Sequence, residues 1–123
     1  MKKKTVYLTL VGDNLNRGHL NLIKKAKELG QITIGLMTDE ACVKYTSLPH
    51  FTFQERKNFL LKNLNVQKII PQETLDYTKN LDVIKPDFVI HGDDWKKGFL
   101  KKKRNKVIKQ LKKWKGKLVE VPY

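Results

Sequence analysis

Apolar positions along the 123-residue chain fall into two alternating rhythms, short β-branched runs and longer stretches at helical spacing. That alternation is the pattern of a βαβ fold built on a parallel sheet. Five runs predict strands: Thr5 to Val11, Gln31 to Met37, Val66 to Ile70, Asp87 to His91 and Lys117 to Val121. Between the first two, an i, i+3 stripe through Leu20, Ile23, Ala26, Lys27 and Leu29 predicts a helix that Gly30 stops. In TFQE the Thr52 hydroxyl can accept from the third helical N–H while Glu55 reaches back, a capping box that opens a helix to about Asn63. Phe59, Leu60 and Leu64 would then face the sheet. A third helix, around Leu75 to Ile84, ends before Pro86, because the residue before a proline is pushed out of the helical region. A fourth, from near Phe99 to Trp114, repeats Leu100, Val107, Ile108, Leu111 and Trp114 at helical spacing and leaves its lysines to the other faces.

Composition narrows the class without changing this outline. The length suits one compact domain, and no apolar stretch approaches the roughly 20 residues that span a bilayer. The single cysteine, Cys42, cannot form an internal bridge and reads as a small apolar filler, and the start MKKKTVYLTLV is too short and too polar for a signal segment. A cytoplasmic location is the expectation. The formal charge of +14 is concentrated late: residues 96 to 117 hold twelve of the 26 Lys and Arg and no acid, leaving fourteen bases against twelve acids elsewhere. A solvated helix face accounts for this run more simply than a nucleic-acid contact, since aromatic residues are not interleaved with the lysines.

Two polar clusters follow predicted strands. The first is Gly12, Asp13, Asn16, Gly18 and His19 after strand one; the second is His91, Gly92, Asp93, Asp94 and Trp95 after strand four. In open parallel sheets ligands bind beyond the carboxyl ends of the strands, and right-handed crossovers bring those ends to one edge. At the first cluster Gly18 allows close approach of a phosphate to the backbone, and His19 at a helix start can donate to it with help from the helix dipole. A helix cap plus a turn glycine is the plainer reading of the same residues. At the second, the paired carboxylates suit ribose hydroxyls, Mg²⁺ or a helix cap. His50 and His91 have no Cys or His partners at metal-ligand spacing, so no zinc site is indicated, and His50 reads as solvent-facing.

The layout GDNLNRGH after strand one, TDEA after strand two, QERK opening a later helix and HGDDWK after strand four resembles the cytidylyltransferases of the HxGH nucleotidyltransferases. PQETLDY, KPD, HGDDWK, GKLVE and VPY are most similar to the phosphonate cytidylyltransferases, including the domains fused to phosphoenolpyruvate mutase. The resemblance implies a Rossmann-like, five-stranded parallel sheet with flanking helices. It also implies a Mg²⁺-assisted reaction of CTP with a phosphonate or phosphate monoester that releases pyrophosphate; 2-aminoethylphosphonate is its suggested acceptor, and a homodimer its suggested assembly. By the same resemblance His19 matches the second histidine of the motif and Asn16 the first. Asp13 would help to order the metal or the phosphates, Asp93 and Asp94 would hold the nucleoside, and Arg56 matches a helix-opening arginine. Val11, Gly12, Gly18, His91 and Gly92 complete the implied nucleotide contacts.

Three departures from the pattern bear on catalysis. Asn16 replaces an imidazole with an amide, which donates a neutral hydrogen bond but carries no proton to give. The phosphate-binding lysine of relatives is missing near Thr46, and Lys44, two positions earlier, reads either as its substitute by reach or as a solvated loop lysine. Relatives also continue past VPY into a GISST-type segment, so the resemblance describes residues 1 to 123 as a single domain lacking it. The alternatives to a working transferase are a nucleotide-binding fold without turnover and, less favoured, a nucleic-acid module using the Lys-rich helix.

Overall fold

The computed structural model describes residues 4 to 92 and 100 to 122. In chain order these form β1 (Thr5–Leu10), α1 (Arg17–Leu29), β2 (Gln31–Met37), α2 (Asp39–Tyr45), α3 (Phe53–Asn63), β3 (Lys68–Gln72), α4 (Thr78–Ile84), β4 (Phe88–Gly92), α5 (Leu100–Leu111) and β5 (Lys117–Val121), with a 3₁₀ turn at Lys112–Trp114. All neighbouring strands pair in parallel, in the order β3-β2-β1-β4-β5. This is the Rossmann-like sheet the sequence pattern predicts. No helix among the described residues is long and apolar enough to cross a membrane.

Alternation along the central strands feeds two cores. Val6, Leu8 and Leu10 of β1 join Ile32, Ile34 and Leu36 of β2 beneath α1 and α3; Tyr7 and Val89 face α4 and α5. The second layer is tied by side chains as well as by apolar contact. The Tyr7 hydroxyl donates to Gln72 Oε1 and accepts from Asn80 Nδ2 at 3.0 Å, and the Gln72 amide donates to the Thr74 carbonyl at 2.8 Å. Burial pushes the Tyr7 phenol up to about 12, so it stays a hydroxyl donor. Gly35 makes room for it: a β-carbon there would lie 1.9 Å from the Tyr7 oxygen.

Several details depart from the apolar pattern. Leu20 is 49 % exposed, and the stripe of α1 that meets the core is Leu22, Ile23 and Ala26. Phe59 is 53 % exposed, because Arg56 and Leu60, four apart, are the α3 residues that face inward. β3 lies two residues later than Val66 to Ile70, since its register on β2 runs from Thr33↔Lys68 to Met37↔Gln72. Pro71 is tolerated because β3 is an edge strand. α4 starts at Thr78 rather than Leu75: the Asp76 side chain accepts from the Thr78 N–H at 2.8 Å and holds the preceding residues in a turn. α2 has no counterpart in the apolar pattern; Thr38 caps it by accepting from Ala41 N–H at 3.1 Å, and Asp39 and Glu40 favour its N-terminal dipole. The last predicted helix is α5 plus the 3₁₀ turn, with Trp114 half-buried and donating to the Pro86 carbonyl at 2.8 Å. Phe99 and Trp95 lie outside the described residues.

Asp76 also receives Lys106 at 2.5 Å, and this bond, with those from Thr78, holds its carboxyl down at about 2. A carboxyl depressed in the folded state stabilises above its ordinary value of 3.8 and loses that contribution as the pH falls toward 2. Asp76→Asn is therefore expected to be less stable than the native chain at neutral pH, and the gap should close below pH 3 in urea titrations at a series of pH values. A gap that stayed constant with pH would show that charge is not what Asp76 contributes.

Candidate active site at the carboxyl edge of the sheet

β1 and β4 pair only at Val6↔Phe88 and Tyr7↔Val89, whereas β1 follows β2 as far as Leu10↔Leu36 and β4 follows β5 to Gly92↔Val121. Past Tyr7 the two central strands part, at the point where strand order reverses. A cleft of about 270 Å³ opens there, lined by Thr9, Val11, His19, Met37 and His91 among others. His19 of the first cluster and His91 of the second therefore line one recess, since the ends of parallel strands share an edge.

The junction from β1 to α1 builds the cleft's donor wall. Asn16 is the N-cap: its Oδ1 accepts from His19 N–H at 3.0 Å, and its own N–H donates to His19 Nδ1 at 3.1 Å, closing a capping box. A ring nitrogen that accepts carries no proton, so the neutral imidazole bears its hydrogen on Nε2. Burial shifts the His19 pKa down and favours that neutral form. Of the first four N–H groups of α1, His19's is taken by the cap and Leu20's by the Asn16 carbonyl at 3.1 Å. Those of Arg17 and Gly18 remain for an anion, with the helix dipole behind them.

Gly12 and Asp13 shape the loop ahead of this cap. Gly12 has φ of +73°, and a β-carbon there would lie 2.9 Å from Leu36 Cδ1 and 3.2 Å from Leu60 Cδ1. Gly12→Ala is expected to cost about 1–2 kcal/mol from the left-handed backbone, plus the contact with Leu36, read as a lower urea midpoint at unchanged slope. Asp13 Oδ2 accepts from His50 N–H and Oδ1 from Phe51 N–H, each at 3.0 Å. The bond from His50 is the main cause of its lowered pKa, helped by that from Phe51 and by the nearby His50 and Arg56 charges against opposing desolvation. Asp13 thus fastens the loop before α3 to the loop after β1. His50 faces solvent, its side chain 77 % exposed.

Arg56 is a structural clasp. It is 1 % exposed. Its Nη1 donates to the Val11 carbonyl at 2.6 Å and the Met37 carbonyl at 2.8 Å, its Nε to the Phe51 carbonyl at 3.0 Å, and its Nη2 to Asp39 Oδ1 at 2.7 Å. The ends of β1 and β2, the loop before α3 and the start of α2 are held by one guanidinium. The sequence motifs assign no individual role to Asp39, Met37 or Thr9. Thr38 followed by two acids is the cap signal that marks the start of α2, but nothing local announces that Asp39 meets Arg56.

Lys44 does not join the cleft. It is exposed in the last turn of α2, with its Nζ 5.3 Å from the Tyr45 ring centre, beside a separate shallow recess bordered by Asp39, Glu40 and Val43. Cys42 is fully buried, and burial pushes its thiol up, as suits an apolar filler. His91 lines the cleft with Nδ1 2.9 Å from the Gly92 carbonyl. Gly92 closes β4; Asp93 and Asp94 lie outside the described residues. A larger apolar hollow of about 700 Å³ lies between α1 and α3, edged by Leu15, Leu20, Phe51, Phe59 and Asp13.

Comparison with known proteins agrees with this geometry. A glycerol-3-phosphate cytidylyltransferase of Bacillus spizizenii is 38 % identical over 104 residues, covering 80 % of this chain and 77 % of that one. An ethanolamine-phosphate cytidylyltransferase of Arabidopsis thaliana is 30 % identical over 99 residues, covering 76 % of this chain and 24 % of that one. A lipopolysaccharide core biosynthesis protein of Thermoplasma volcanium superposes with a TM-score of 0.78 over 99 % of both chains at 21 % identity, a likeness of fold. The sequence model described as cytidylyltransferase-like matches residues 13–122, from Asp13 of the cap loop through β5. With that match over most of its length, the chain belongs to the cytidylyltransferase-like family.

Proposed function

We propose that the chain transfers CMP from CTP to a phosphate monoester or a phosphonate, with release of pyrophosphate. The observation that carries this reading is the cleft between β1 and β4, lined by His19 at the start of α1, whose Nε2 carries the ring proton. Attack on the α-phosphorus gathers negative charge on its oxygens and on the departing pyrophosphate, so fixed donors already aimed at that charge lower the barrier. His19 and the α1 amides would supply them, with His91 and Val11 also lining the cleft. Asp93 and Asp94 remain the candidates for the nucleoside. Support for a phosphate ester as acceptor comes from the names of the relatives; support for a phosphonate rests on the motifs PQETLDY and HGDDWK.

Mg²⁺ enters this reading with the triphosphate. Each oxygen of Asp13 already accepts a backbone N–H. No group of three or more His, Cys, Asp or Glu that could hold a metal occurs among the described residues. Mg²⁺ commonly binds through one or two carboxylates plus substrate phosphates and water, and Asp13 could contribute one such carboxylate. The ion would neutralise phosphate charge.

The test is pyrophosphate release from CTP with glycerol 3-phosphate, ethanolamine phosphate and 2-aminoethylphosphonate as acceptors, in the native chain and in Asn16→His. Acceptor-dependent release in the native chain is the expected result. A second reading, nucleotide binding without turnover, is favoured by one observation: Asn16 Oδ1 is committed to the cap, leaving only its neutral amide hydrogens for a ligand. Calorimetric binding of CTP with no release under any acceptor would establish that reading instead.

A further inference from the structure

The outer side of α5 is a row of cations. Val107, Gln110 and Leu111 are the buried residues of the helix. The opposite side carries Lys101, Asn105, Lys109 and, in the 3₁₀ turn, Lys113, at intervals of four, with Lys102 and Lys112 beside them, and all six are exposed. At ordinary helical rises the row is about 24 Å long. The other bases of α5 are engaged: Lys103 lies over the Tyr77 ring at 4.9 Å, Arg104 Nη2 donates to Glu120 Oε1 at 2.9 Å, and Lys106 donates to Asp76. Among the described residues no ion pair holds Lys101, Lys102, Lys109, Lys112 or Lys113. Residues 96 to 117 contain no acid, so this charge is not neutralised along the chain.

Shape decides which polyanion this face fits. α5 does not project: α4 is fastened along its flank by Gln110 Nε2, which donates to the Thr78 carbonyl and to Asp82 Oδ1, each at 2.8 Å, and both helices pack on the core around Tyr7 and Val89. The major groove of a nucleic-acid duplex, about 12 Å wide, admits one helix of about 10–12 Å, not a helix with a neighbour bound to its side. A single strand is gripped by bases stacking on exposed aromatic rings, and Tyr77 and Trp114 are turned inward, the first buried and the second donating to the Pro86 carbonyl. A two-helix layer presents a broad face, which a plane of negative charge can meet along its whole length. Exposed Lys79 and Val83 of α4 extend that layer, and Asp76 and Asp82 on the α4 side already accept from Lys106 and Gln110.

We infer that the outer face of α5 docks the protein, reversibly and by charge, on the surface of a bilayer that contains anionic phospholipid. Each lysine brought near such a surface adds to the attraction. The apolar side of α5 stays in the core, so the attachment is adsorption without insertion of the helix. The cleft lies at the carboxyl edge of the sheet, away from this face, and stays open when the protein is docked. The inference goes beyond the cytidylyl-transfer reading and does not depend on it.

Co-sedimentation of the full chain with vesicles, at ~0.1 M salt and without CTP, tests it. The probes are vesicles of phosphatidylcholine alone and of phosphatidylcholine with phosphatidylglycerol in about equal parts. The anionic vesicles are expected to bind at least about tenfold more tightly than the neutral ones, and to release the protein as the salt is raised. Lys101→Gln/Lys109→Gln/Lys113→Gln should weaken that binding on the order of 10²-fold. Lys24→Gln/Lys27→Gln/Lys62→Gln, which removes the same charge from exposed positions on α1 and α3, should weaken it far less. Equal binding to the two kinds of vesicle, no binding to the anionic ones, or equal losses in the two triple variants overturns the inference. Competition separates the other polyanion: a duplex or single-stranded oligonucleotide that binds more tightly than the anionic vesicles at the same salt, and loses affinity in the first variant, would make the face a nucleic-acid interface and overturn docking on a bilayer.

Discussion

Replacing His19 by alanine is expected to lower kcat for pyrophosphate release by on the order of 10²–10³ while changing the KM for CTP much less, the loss typical of removing one donor aimed at transition-state charge. The expectation follows from the tautomer. Because Nδ1 accepts from the Asn16 N–H, Nε2 carries the proton and is the only ring atom free to donate. The same substitution removes one half of the capping box, a structural loss of about 0.5–2 kcal/mol. Two measurements separate the effects. Asn16→Ala removes the other half of the box but keeps the imidazole, so it should match His19→Ala in stability and retain far more of kcat. A His19→Ala chain with unchanged kcat would remove His19 from the chemistry altogether.

The imidazole also sets a pH dependence of stability. Burial lowers the folded His19 pKa below its ordinary 6.5, so the unfolded chain takes up protons first as the pH falls. Its contribution is complete above pH 6.5 and is lost below it. Protonation would add a second ring hydrogen at Nδ1, opposite the Asn16 N–H, which opposes the cap directly.

Substituting methionine for Arg56 is expected to cost about 3–5 kcal/mol in urea unfolding, the range for removing one member of a buried charged network. Methionine fills much of the volume but cannot satisfy the carbonyls of Val11, Met37 and Phe51 or the Asp39 carboxylate. Arg56→Lys should recover little, because a single ammonium cannot reach acceptors spread around a planar fork. In the double variant Arg56→Met/Asp39→Asn the losses should add to less than their sum, since both act on one contact of 2.7 Å. A cost below 1 kcal/mol for Arg56→Met would mean that the loops around the site are held by something other than this clasp. The clasp also gives the arginine an indirect part in function: it fixes the ends of β1 and β2, from which Val11 and Met37 line the cleft.

Much of this molecule is written locally. β1 and β2 are continuous β-branched or apolar runs, Thr52 and Glu55 announce α3 through a capping box that the structure contains at 3.2 and 3.0 Å, and Pro86 fixes the end of α4. These signals are short-range, so a sequence window holds all their parts. The two polar clusters were legible for the same reason: each follows an apolar run, and parallel connection brings such ends to one edge. Phe59 and Leu20 show the limit. Both are apolar at nearly helical spacing, yet which stripe of a helix turns inward depends on how the helix sits against the sheet.

The roles of the site residues required the third dimension. Asn16 reads as a lost histidine until its side chain is seen on the His19 N–H, and nothing local shows that Asp13 accepts from His50 and Phe51, 37 and 38 residues away. Arg56 reads as a ligand contact until four protein acceptors claim it, and Lys44 as a phosphate contact until α2 carries it beside a different recess. Sequence by itself determined the parallel sheet, the edge at which His19 and His91 meet and the family motifs, because period, cap and turn chemistry act over a few residues. Tertiary structure alone decided which of those polar groups remain available, because a hydrogen bond spent on a distant backbone leaves no trace in the spacing of residues along the chain.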